Sequence, residues 1–131
     1  MALDDAVLID TCIWDAHFRN SQSAEKSSVD GLIDDDRAVL MGPILAETSL
    51  GYRRDEHADW IGSVLESLHY LNVTWTDWSA AAKLGRRPAA NGHSLPLTDL
   101  AIAAVAFNRD VAVYSTDPHF DLIAGLKRHT P

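Results

Sequence analysis

The sequence predicts an α/β fold, a three-layer α/β/α sandwich around a mostly parallel central sheet, built as one domain over residues 1–131. Three observations predict it. Short apolar runs alternate with longer stretches of helical spacing, as in a chain of strand–helix units. The apolar runs lack inside–outside alternation, so their strands need helices on both faces. The length of 131 residues, 47% of them hydrophobic and 23% charged, suits a single core. Such a chain buries about two-thirds of its unfolded surface and needs no disulfide or structural metal to fold.

The elements follow in order. Ala6-Val7-Leu8-Ile9 is a buried strand that stops at Asp10, and Thr11 to Arg19 reads as a helix with Cys12 and Ala16 at helical spacing. Residues 28–33 look like the end of a second helix, closed by Asp34-Asp35-Asp36. Ala38-Val39-Leu40-Met41 is a second strand ending at Gly42. Pro43 suits the first turn of a helix, where its missing N–H costs nothing. That helix is expected through Ile44, Leu45, Glu47, Leu50 and Tyr52 to Arg53-Arg54, largely buried. Over 60–68, Trp60, Ile61, Val64, Leu65 and Leu68 share one helical face. Residues 71–75 fit a short strand and 79–84 another helix. Arg86-Arg87-Pro88-Ala89-Ala90-Asn91-Gly92-His93 is the strongest loop signal. Pro96 opens a small-residue helix to Asn108, and Val111-Ala112-Val113-Tyr114 is the last strand.

Charge narrows the function. Eleven Lys and Arg against nineteen Asp and Glu give a net charge of −8. That excludes a broadly basic coat for nucleic acid but not a substrate gripped by local cations. Arg53-Arg54, Lys83, Arg86-Arg87 and Lys127-Arg128 are available for such a grip. The single Cys12 cannot form an internal disulfide, the N-terminus is acidic, and no apolar run reaches membrane-helix length, so a cytoplasmic protein is expected. The phosphate-loop, dinucleotide and serine-hydrolase motifs are all missing. Cys12 reads as a small buried residue, and Trp14, Trp60, Trp75 and Trp78 as core and interface mass.

Four acids stand where chemistry collects in parallel sheets, at strand ends and on the helices that follow. They are Asp10, Glu47, Asp99 and Asp117. Each has a second reading: Asp10 as a helix cap, Asp99 as a complement to a helix dipole, Asp117 as the opening of a turn before Pro118. Glu47 is the hardest to read that way, with Ile44, Leu45 and Leu50 around it. Gathered at one sheet edge, any two of them about 4–5 Å apart repel by a few kcal/mol at an effective dielectric near 20, and four are worse. Mg²⁺ or Mn²⁺ relieves that repulsion through oxygen ligands. Removing one carboxylate, as in Asp10→Asn, is then expected to leave the metal-free protein slightly more stable.

Four segments carry a resemblance over essentially the whole chain. Leu8-Ile9-Asp10-Thr11, Ile44-Leu45-Ala46-Glu47, Leu97-Thr98-Asp99-Leu100-Ala101-Ile102-Ala103-Ala104 and Ser115-Thr116-Asp117-Pro118-His119-Phe120 resemble, in order, the signature segments of the PIN domain, and more narrowly those of VapC-type toxins. The resemblance implies that Asp10, Glu47, Asp99 and Asp117 form an acidic quartet holding Mg²⁺ or Mn²⁺, with Asp10 and Asp99 as direct ligands. Thr11 and Thr116 match small hydroxyl residues that support such a site. His119 stands where the family often has a second Asp, and Asp121 is a candidate to replace it.

The function so implied is metal-dependent endoribonuclease activity, with Asp117 and Glu47 acting through water or a second ion. Tying it to translation arrest, the resemblance implies a toxin with an RNA substrate of the tRNA or rRNA class, a cognate antitoxin and a homodimer. The apolar face of 60–68 could supply the dimer contact. Two alternatives remain. One is a degenerate PIN domain that binds RNA or protein without turnover. The other is a receiver-type signalling domain, disfavoured because Asp117-Pro118 stands where that module needs Lys-Pro.

Overall fold

The computed structural model describes residues 4–131. Its four strands are β1 (Val7–Ile9), β2 (Ala38–Met41), β3 (His69–Leu71) and β4 (Ala112–Tyr114). Six helices accompany them: α1 (Thr11–Arg19), α2 (Ala24–Asp34), α3 (Gly42–Leu50), α4 (Asp55–Leu65), α5 (Trp75–Ala90) and α6 (Leu97–Arg109). A 3-10 turn, Pro118–Leu122, follows β4. The strands lie in the order β3-β2-β1-β4, every pair parallel. The alternation therefore gave the correct fold class, and the sheet is parallel throughout.

Burial explains the lack of alternation in the strands. Val7, Leu8 and Ile9, like Ala38 to Met41, are covered on both faces by helices. On α6, every residue from Asp99 to Ala106 is buried. Its alanines let the helix axis approach its neighbours closely. Val7 pairs with Ala38 on one side and Ala112 on the other, which makes β1 the central rail of the sheet. None of the described helices is long and apolar enough to cross a membrane.

Several expectations change. The segment 86–93 is not a loop up to its end: α5 runs through Pro88 to Ala90, and the turn begins at Asn91. Pro88 is tolerated because it sits in the last turn, where it is buried and only one helical bond is at stake. The strand expected over 71–75 is instead His69–Leu71, because Thr74 and Asp77 form a reciprocal cap that starts α5 at Trp75. Helix α3 stops at Leu50, short of Arg53-Arg54, and is only half-buried, with Ile44 and Thr48 inside but Leu50 83% exposed.

The face over 60–68 divides. Ile61 and Leu65 on α4 point into the core, so that stripe is already consumed by the fold. Trp60 is exposed and meets only the edge of Phe18. Of the four tryptophans only Trp14 is core; Trp60, Trp75 and Trp78 are exposed.

Candidate active site

The strand order decides where the site lies. From β1 the chain moves to β2 and β3 on one side, then returns to place β4 on the other side of β1. A crevice opens at the carboxyl ends of neighbouring strands where the order reverses, here between β1 and β4. Asp10 leaves β1 and Ser115-Thr116-Asp117 leaves β4 at that point.

Asp10 caps α1 and also faces the crevice. One carboxylate oxygen accepts the Thr11 backbone N–H at 2.8 Å, and the other accepts the Ser115 hydroxyl at 2.7 Å. The Ser115 oxygen in turn accepts the Asp117 backbone N–H at 3.0 Å. Ser115 thus ties the two strand ends together. That support was expected from Thr116, which is exposed, and from Thr11, whose buried hydroxyl has no partner among the described residues. Cys12 is half-buried rather than core, its sulfur 3.7 Å from Asp10 and 3.5 Å from the Ser115 hydroxyl.

Asp99 enters from the first turn of α6 and is buried. Burial pushes its carboxyl up to about 6; the His119 hydrogen bond opposes this, while the negative charges of Asp10 and Asp117 add to it. Asp117 accepts the His119 backbone N–H at 2.9 Å, so the turn reading of this acid holds.

The structure adds His119. Its Nδ1 lies 2.9 Å from Asp99 and 3.1 Å from Asp117. The hydrogen bond to Asp99, and then the charges of both acids, raise the imidazole pKa. One ligand atom from each of Asp99, Asp117 and His119 falls within 4.8 Å of the others, a set able to hold a metal ion. Asp10 lies beside this group and acts on Asp99 through its charge. Asp121 does not join it, since its carboxylate pairs with Arg128 at 3.1 Å. The sequence signal for His119 is the Asp-Pro-His run after β4, which sets an imidazole two residues beyond an acid.

Glu47 sits apart from that set. It is exposed and has no hydrogen bond or ion pair among the described residues. Its helix α3 does pack against α1 and α6, which carry Asp10 and Asp99. Among the cations, Arg128 is engaged with Asp121 and the Ser115 carbonyl, and Lys127 lies near Asp110. Arg86 and Arg87 are exposed, without an ion pair among the described residues, near the end of α5 where Gly85 meets Leu100 beside Asp99.

Asp99, Asp117 and His119, with the buried Asp10 beside them, make a group that could hold a metal ion. Comparison with known proteins gives the same direction. The PIN domain family model matches residues 7–126. Ribonuclease VapC11 from Mycobacterium tuberculosis is 30% identical over 124 residues, covering 92% of each chain. Among solved structures, VapBC2 from Rickettsia felis, bound to a promoter DNA fragment, superposes with a TM-score of 0.80 at 16% identity, over 95% of this chain and 97% of that one. VapBC-5 from Mycobacterium tuberculosis gives a TM-score of 0.63 at 26% identity, over 94% of both chains.

Proposed function

The chain belongs to the PIN-domain family, and on that premise we propose that it is the ribonuclease toxin of a VapBC-type toxin–antitoxin pair, hydrolysing RNA phosphodiester bonds in the cytoplasm and so halting translation. The observation that carries the reading is the convergence of Asp99, Asp117 and His119 at the β1–β4 crevice, with Asp10 alongside.

The donor set fits a divalent cation, Mg²⁺ or Mn²⁺. Two carboxylates and an imidazole converge, and the Asp99 carboxyl is raised to about 6, first by burial and then by the negative charges of Asp10 and Asp117. Asp99 and Asp117 would hold the ion with Asp10 beside them, while Glu47, exposed on α3, stands outside this set. A cation bound there supplies the charge that acidifies a water and offsets charge building on the phosphate. The protein's own groups do the rest. Ser115 fixes the Asp10 carboxylate and the Asp117 backbone against each other, so two acids from different strands keep one spacing. Arg86 and Arg87 give a negatively charged protein a local grip on an RNA backbone. A cognate antitoxin would inhibit by laying an arginine fork on the same carboxylates, in competition with the cation.

The test is incubation of the purified protein with total RNA, with Mg²⁺ or Mn²⁺ and with EDTA, beside Asp10→Asn. Discrete cleavage that vanishes with EDTA and in the variant is expected. Wild-type cleavage by a nuclease-free preparation of Asp10→Asn would refute the assignment.

A further inference from the structure

His119 turns a site that would be all oxygen into a mixed one. Its Nδ1 is the ring atom aimed inward, at 2.9 Å from Asp99 and 3.1 Å from Asp117, while the ring itself is half-exposed. The backbone supports this placement independently of the ring. The Asp117 carboxylate caps the turn through the His119 N–H, which fixes the Cα of His119 over the crevice. Asp121, the carboxylate that could have restored an oxygen ligand, is held away by Arg128.

Ligand chemistry then separates the available ions. Mg²⁺ takes oxygen ligands in a near-ideal octahedron and parts reluctantly with its waters. Imidazole nitrogen suits Fe²⁺, Ni²⁺, Cu²⁺ and Zn²⁺ best, and affinity for a nitrogen-bearing site rises along the first-row divalent series from Mn²⁺, its weakest member. We propose that His119 is a metal ligand of this centre and makes it selective for a first-row transition cation, Mn²⁺ among them, over Mg²⁺. The proposal rests on the reading above that Asp99 and Asp117 hold a cation, and it assigns to His119 what the sequence had read only as a departure.

Metal-stripped full-length protein, His119→Asp, His119→Gln and Asp99→Asn would be titrated with Mn²⁺ and with Mg²⁺ by calorimetry. Pulsed electron paramagnetic resonance on the Mn²⁺ complexes reports any directly bound nitrogen. Wild type should favour Mn²⁺ over Mg²⁺ by a ratio that falls on the order of tenfold in His119→Asp, the size by which a changed ligand environment commonly alters metal affinity. A ¹⁴N coupling should be present in wild type and absent in both His119 variants, each first shown to melt cooperatively. Should a variant fail to fold, the wild-type ¹⁴N coupling decides alone. Mn²⁺ binding by wild type without that coupling, or an unchanged ratio in His119→Asp, overturns the proposal and leaves the nuclease reading intact. Unaltered Mn²⁺ binding by Asp99→Asn removes the metal centre itself, and both readings fall.

Discussion

Asp10 uses its two carboxylate oxygens for different purposes, one for the cap of α1 and one for the Ser115 hydroxyl that leads to Asp117. Asp10→Asn relieves the repulsion that Asp10 exerts on Asp99, but Asn, which still caps a helix, forfeits the acceptor that holds the Ser115 hydroxyl. Its melting temperature should match wild type or fall slightly, rather than rise as the count of four acids suggested. The gain belongs to Asp99, where burial and two negative neighbours meet. A carboxyl raised to about 6 in the fold, against about 4 in the unfolded chain, penalises folding fully above pH 6 and not at all below pH 4. Asp99→Asn should therefore be more stable than metal-free wild type at pH 7, by roughly 1–2 kcal/mol of unfolding free energy after allowing for the lost His119 contact. The difference should shrink as pH falls from 6 to 4. Calorimetry across that range checks it; a gap that widens on acidification would show that Asp99 is not the strained acid.

Between elements, α5 and α6 are locked at the end remote from the site. The Asp77 carboxylate at the start of α5 accepts from both Arg109 guanidinium nitrogens at 2.8 and 2.9 Å, from Asn108 at 2.8 Å and from the Thr74 backbone at 2.8 Å. Those donors, the Arg109 pair first, hold its carboxyl well below the usual range. Breaking a buried pair by removing one partner costs about 3–5 kcal/mol, because the other charge is left behind. Asp77→Ala should lose stability on that scale in urea at pH 7. A depressed carboxylate contributes fully above about pH 4 and fades below it, so the gap should narrow near pH 3. Arg109 is ten residues along α6 from Asp99, about 15 Å, so cleavage per folded molecule should be unchanged. A selective loss of activity would show that the clamp also positions Asp99. At the site end of the same pair, Gly85 leaves Leu100 the space that a Cβ would enter at 2.7 Å.

At the scale of the whole molecule, a net charge of −8 leaves RNA binding to local cations. If Arg86 and Arg87 each meet a phosphate, Arg86→Ala with Arg87→Ala should flatten the slope of log affinity against log salt by about 1.4–1.8. A fluorescence titration at several salt concentrations measures it, and an unchanged slope would move the grip elsewhere. The expected homodimer also belongs to this scale, and part of the apolar face assigned to it lies in the core. With Ile61 and Leu65 turned inward, the apolar area available around α4 is Trp60, with Leu50 on the adjoining α3. Sedimentation should show a dimer at micromolar concentration that Trp60→Glu weakens; a wild-type monomer would dispose of the idea.

The sequence by itself determined three of the four strands, the helix order and three of the acids that meet the crevice. Those follow from local facts: an unbroken apolar run needs cover on both faces, and the chain leaves each such strand at its carboxyl end. Val7–Ile9, Ala38–Met41 and the small-residue helix Leu97–Arg109 were legible for that reason. Tertiary structure decided the rest. Pro88 stays helical because it is buried in the last turn, which outweighs its local preference to break a helix. Glu47 stands in solvent because α3 turns Ile44 and Thr48 inward, not the side carrying Glu47 and Leu50. Ser115 and His119 became site residues only when β4 settled beside β1, since the hydroxyl and imidazole of a single loop reveal their partners only once residues 20 and 105 positions away are brought within hydrogen-bonding distance.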